Sequence, residues 1–112
     1  MKIIDFIKDV KGEILTNLPE IDAVEIQDAY VSDLLSDVMG SVGENMAWIT
    51  IMRHLNVVAV ASLAGIPIII FSKGIIPAEP VVEKANEEGI HLVSSSLTTF
   101  QLAGMLYRKI HG

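Results

Sequence analysis

The sequence contains no cysteine, which excludes disulfides, thiolate metal sites and cysteine nucleophiles. Aromatic residues make up only 5% of the chain, too few to build a stacking surface for bases. Basic residues are outnumbered by acidic ones, 8 against 14, giving a formal net charge of −6. A dedicated nucleic-acid binder needs a basic stripe to neutralise phosphates, and no cluster of that kind occurs. Walker A and GxGxxG runs are missing, and Gly40-Ser41-Val42-Gly43 lacks a following lysine. His54 has no partner at metal-ligand spacing, so neither a metal nor a cofactor is expected. The opening Met1-Lys2-Ile3-Ile4-Asp5 carries charge too early for a secretory leader, which makes a cytoplasmic location the expectation.

Hydrophobic residues are plentiful, at 51%, so disorder is not expected. A length of 112 residues suits one domain with a real core, spanning residues 1–112. The run Leu55–Phe71 organises the chain. Its first half is small and apolar nearly all round, as in a helix packed on more than one side. Gly65 suits the left-handed position that ends a helix, and Pro67 prevents continuation. Ile66 to Phe71 then reads as a strand covered on both faces. Asn56, Ser62, Gly65 and Pro67 interrupt the run, so a soluble α/β core is preferred over a membrane span.

Other segments follow the same logic. Met1–Val10 has helical spacing, while Glu13–Leu18 reads as either a short strand or a loop. Alternation of Val24 and Ile26 with Glu25 and Gln27 predicts a strand over Ala23–Val31. A short helix is expected over Ser32–Met39, capped by Ser32 or Asp33, followed by a turn at Gly40–Asn45. Met46–Met52 reads as a strand. Ala78–Glu88 reads as a helix with Pro77 and Pro80 at its start, and Gly89 stops it. Ile90–Val93 is the next strand, and Ser94–Ser96 a loop. Thr98 is the expected cap of a last helix, Thr99–Ile110, with Phe100, Ala103, Leu106 and Ile110 on one face.

Gly65-Ile66 and Gly89-Ile90 each end a helix and open a strand. Two right-handed strand–helix–strand crossovers follow, so the expected fold is α/β: a mostly parallel sheet of four to five strands with helices on both faces. Ligands of such sheets bind outside the carboxyl ends of the strands. The residues there are Ser32 and Asp33, then Arg53, His54 and Asn56, then Ser72, Lys73 and Gly74, then Ser94–Ser96, Thr98 and Thr99. The candidate ligand-binding set is Asp33, Asp37, His54, Asn56, Ser72, Lys73, Ser95 and Thr98. Each also has a plainer role: the hydroxyls as helix caps, Asp33 as an N-cap, His54 as a partner of loop backbone. A nucleophile–base arrangement could come only from assembly in space, for example His54 with a serine of Ser94–Ser96, and no elbow motif surrounds those serines.

The stretches Ala29–Met39, His54–Ala61 and Ser94–Tyr107 resemble the DRTGG domain family, and the resemblance covers nearly all of the chain. It implies a three-layer domain like the N-terminal module of HPr kinase/phosphorylase. Related domains also occur in some phosphotransacetylases and CBS-containing pyrophosphatases, where they are regulatory or structural. The Asp-Arg-Thr-Gly-Gly pentapeptide itself is absent: Asp33 is followed by Leu34. The expectation is therefore a stand-alone, non-catalytic regulatory module that senses a nucleotide or phosphorylated metabolite and forms a homodimer. Val57, Val58, Val60 or the last helix would contribute to that dimer, and a signalling or metabolic enzyme would be its partner. A pure interaction module without a ligand is the alternative, and a small enzyme using His54 comes third.

Overall fold

Long apolar stretches with no polar side must be covered on both faces, and that requirement sets the architecture. The computed structural model describes residues 1–112. The element order is α1 (Ile3–Asp9), β1 (Glu13–Ile14), a single 3-10 turn (Ile21–Ala23), β2 (Asp28–Val31), α2 (Leu35–Ser41), β3 (Met46–Thr50), α3 (Asn56–Ala64), β4 (Ile68–Phe71), α4 (Glu79–Glu88), β5 (His91–Ser94) and α5 (Thr99–His111). One five-stranded sheet has the order β1-β5-β4-β3-β2. Strands β2 to β5 run parallel, and β1 adds to β5 antiparallel through Glu13 opposite Ser94 and Ile14 opposite Val93.

Side chains alternate across this sheet, as the pleat requires. Ala47, Ile49, Ile68, Ile70 and Val93 face one layer, where they meet Ile3, Phe6 and Ile7 of α1 and Leu102 and Leu106 of α5. Trp48, Ile69, Phe71 and Leu92 face the other, against Val38 of α2, Val57, Val58 and Ala61 of α3, and Val81 and Ala85 of α4. Each fully buried side chain of this size contributes about 1.5–3 kcal/mol relative to exposure. Three crossovers join β2 to β5, and the helices of the last two end at Gly65 and Gly89, with φ of +77° and +73°, the left-handed conformation that favours glycine. No helix is long and apolar enough to cross a membrane.

Several expectations need correction. The alternating stretch at Val24–Ile26 precedes the strand, because Ile21–Ala23 turns and pairing with β3 begins only at Asp28. Ile26 is buried all the same, in the α1 layer. Helix α2 starts at Leu35 without a side-chain cap and continues through Gly40 and Ser41, so neither Ser32 nor Asp33 caps it and the turn is shorter. Ser94 ends β5 and does not open a loop. Val57 and Val58 are fully buried and offer no surface to a partner. Phe100 does not share a buried face with Leu106: it is 87% exposed, and Leu102 and Leu106 form the buried face of α5.

Candidate functional site

Parallel pairing brings the ends of β2, β3, β4 and β5 to one edge, with Thr50 opposite Phe71 and Phe71 opposite Ser94. The candidate residues divide into two groups along that edge. Beyond β2 and β3, Asp33, Ile51, Met52, Arg53 and His54 line an open depression of about 390 Å³. Beyond β4 and β5, Ser72, Lys73, Ser95 and Thr98 belong to a stitched pair of loops. The N–H of Ser72 donates to Thr50 O at 3.4 Å, so the groups are neighbours.

Within the first group, most polar atoms are committed to structure. Asp33 Oδ1 accepts from Thr50 Oγ1 at 2.7 Å and from the Ile51 N–H at 3.0 Å. This carboxylate thereby fastens the loop after β2 to the end of β3. His54 Nδ1 accepts from the Asn56 N–H at 3.3 Å, at the start of α3. Asp37 leaves the depression altogether, accepting from the Tyr30 hydroxyl at 2.8 Å. Arg53 is exposed and forms no ion pair; the ion pairs of the chain involve Lys84, Lys109 and His111. Arg53 lies outside the candidate ligand-binding set, and its position just beyond the carboxyl end of β3 is the signal that marks it.

In the second group, the hydroxyls are largely spent. Ser72 Oγ and Thr99 Oγ1 lie 2.6 Å apart, and Ser95 Oγ donates to Val10 O at 3.1 Å. Ser94 Oγ donates to Ile75 O at 2.7 Å. The Lys73 and Gly74 N–H groups donate to Leu97 O and Ser95 O, both at 2.8 Å. Lys73 has a φ of +61°, so this tight turn carries its side chain on left-handed backbone. Thr98 caps α5 in full: its Oγ1 accepts from the Gln101 N–H at 3.1 Å, and Gln101 Oε1 accepts from the Thr98 N–H at 3.0 Å. Neither Ser94 nor Ser95 is bonded to His54.

His91 lies at the other end of the sheet, at the start of β5. It is buried, its Nδ1 finds no hydrogen-bond partner, and desolvation lowers its pKa below the ordinary histidine value, opposed by Glu20.

No protein-family model and no curated protein matches this sequence. Among solved structures, the chain is similar to the crystal structure of the CBS and DRTGG domains of the regulatory region of Clostridium perfringens pyrophosphatase, complexed with its activator, diadenosine tetraphosphate. The TM-score is 0.78 at 13% sequence identity, over 94% of this chain and 45% of that one. A likeness at this identity establishes the α/β fold. The chain spans less than half the length of that relative.

Proposed function

We propose that this chain is a DRTGG-like, non-catalytic regulatory module. It senses a nucleotide or another phosphorylated metabolite at the carboxyl edge of β2 and β3, and it acts as a homodimer. The observation that carries the ligand reading is Arg53: an unpaired guanidinium in an open depression, in a chain of net charge −6. A guanidinium matches phosphate in a planar, bidentate fashion. Ile51 and Met52 supply apolar wall beside it, suited to a nucleoside or another apolar body. The regulatory region with the similar fold, bound to a nucleotide activator, supports the same reading. Asp33 and His54 line this site, Asn56 holds His54 through its N–H, and Ser72, Ser95 and Thr98 maintain the edge on which it sits.

Thermal unfolding against a panel of nucleotides and phosphometabolites tests the proposal. A ligand at about 100 times its Kd stabilises by about 2.7 kcal/mol, a shift on the order of 10 °C for a domain of this size. Arg53→Ala is expected to abolish that shift while leaving the ligand-free melting temperature in place, since Arg53 holds nothing in the fold. No stabilisation by any member of the panel counts against the ligand reading. It would leave the interaction-only reading, which the exposed aromatic surface of α5 favours.

A further inference from the structure

Helix α5 presents an outward face that a buried, amphipathic sheet-covering helix does not need. Phe100 is 87% exposed, Tyr107 68% and Met105 40%. Gly104 lies two residues from each of the buried pair Leu102 and Leu106, which at 3.6 residues per turn puts it at the middle of the opposite side. No atom lies within 4 Å of where its Cβ would be, so nothing inside the chain requires glycine there. Glycine in a helix interior costs about 1 kcal/mol relative to alanine. Leu97, Phe100, Gln101, Met105 and Arg108 surround it in a shallow groove of about 290 Å³.

We infer that this face is a two-fold interface between two copies of the chain, with their α5 helices antiparallel and closest at Gly104. It gives the dimeric half of the functional reading a place, and rests on that half alone. The face is self-complementary. Phe100 precedes Gly104 by about one turn and Tyr107 follows it by about one turn, both on the β2 side of the helix. A two-fold axis near Gly104 sets Phe100 of each copy beside Tyr107 of the other, two aromatic pairs in all. Gly104 lets the two backbones approach.

Charge does not forbid a second copy. The chain has net charge −6, yet Thr99–Gly112 contains no Asp or Glu. The face carries Arg108 and Lys109 instead, so two copies meet there with like positive charges. Antiparallel helices hold the two Arg108 residues about 12 Å apart, beyond the ~8 Å screening length at physiological ionic strength. The exposed portions of Phe100 and Tyr107 alone offer on the order of 300 Å² per copy. With Leu97, Gln101, Met105 and Arg108 the contact reaches the low end of the roughly 1,200–2,000 Å² class of specific interfaces.

Sedimentation velocity from about 1 to 500 µM tests the interface on the full chain. The wild-type protein is expected to pass from monomer to dimer over that range. Phe100→Glu, at a side chain 87% exposed, is expected to weaken association at least tenfold with little change in melting temperature. Because the chain lacks cysteine, Gly104→Cys reports position directly: it should form a disulfide-linked dimer on mild oxidation, while Leu63→Cys, exposed on the opposite layer, should not. A monomer throughout, a dimer indifferent to Phe100→Glu, or equal cross-linking at both cysteines overturns the assignment. Nucleotide stabilisation of the Phe100→Glu monomer would leave the ligand reading standing, and a dimer without any ligand response would remove that reading alone.

Discussion

Asp33 is the residue whose role changes most between sequence and structure, and replacing it distinguishes a strut from a ligand contact. Its Oδ1 accepts from a nearly buried hydroxyl, that of Thr50, and from the N–H of Ile51. Asp33→Ala removes two hydrogen bonds to a charged acceptor. Such bonds are worth about 1.5–3 kcal/mol each where the partner is left dry. Ile51 is exposed, and water replaces the carboxylate at its N–H. Thr50 is not so served, although its Oγ1 still accepts from the Met52 N–H at 3.1 Å. The loss is therefore dominated by one bond, about 2 kcal/mol, or on the order of 8 °C in melting temperature. Asp33→Asn keeps an oxygen in place and is expected to lose about half as much. Chemical denaturation followed by the fluorescence of Trp48, the single tryptophan, reads both variants, because Trp48 is fully buried and its Nε1 donates to Ser32 O at 2.8 Å in the same loop. A cost for Asp33→Ala below about 0.5 kcal/mol, or equal costs for the two variants, would refute the account of Asp33 as the fastening of β2 to β3.

Three further outcomes are expected. Burial lowers the pKa of His91, so the folded state binds fewer protons than the unfolded state as pH falls through about 6.5. Stability is fully present above that pH and declines below it, and His91→Leu should flatten the decline in urea titrations between pH 7.5 and 5. Thr98→Ala breaks the capping box of α5 and should cost about 1 kcal/mol; a loss indistinguishable from zero would contradict the cap. Gly89→Ala forces a Cβ onto a φ of +73° with open space around it, so it should cost only the backbone strain, about 1–2 kcal/mol, with an unchanged denaturant slope.

Punctuation by glycine made the parallel core legible. Gly65 and Gly89 are both left-handed ends, the flanking runs are the strands expected, and the helices between them complete the crossovers. The same signals failed where tertiary contacts outweigh local pattern. Val24 and Ile26 alternate like a strand, but Ile26 is buried under α1 while its backbone pairs with Met1 and not with a sheet neighbour. Asp33 looked like a helix cap because a polar residue precedes an apolar run; nothing local records that Thr50 would reach it. At α5 the apolar residues run around most of the helix, so spacing alone could not choose between a face through Phe100 and one through Leu102. At the candidate site, the common edge followed from topology. The division into a committed serine and threonine cluster and an open depression did not, because it depends on hydrogen bonds between loops distant in sequence.

Strand β2 joins the two surfaces, and that connection yields a last testable consequence. Its carboxyl end runs into the Asp33 loop that walls the depression, while its outer residues pack against α5. Asp28, Ala29 and Val31 line a mostly apolar cavity of about 140 Å³ together with Ala103, Tyr107 and Ile110 of α5. The pocket opens to solvent, with Tyr107 68% exposed, and His111 of α5 reaches Asp28 of β2 across it at 3.8 Å. If the proposed ligand draws in the Asp33 loop, it moves the strand against which Tyr107 rests, and Tyr107 lies in the proposed two-fold interface. Linkage then demands reciprocity: whatever factor the ligand adds to dimer affinity, dimerisation adds to ligand affinity. Titration calorimetry of the wild-type protein above its dimer Kd, against Phe100→Glu, measures that factor. At least a fivefold difference in nucleotide affinity is expected, the lower end of ordinary allosteric coupling. Equal affinities would mean that β2 transmits nothing between the two proposed surfaces.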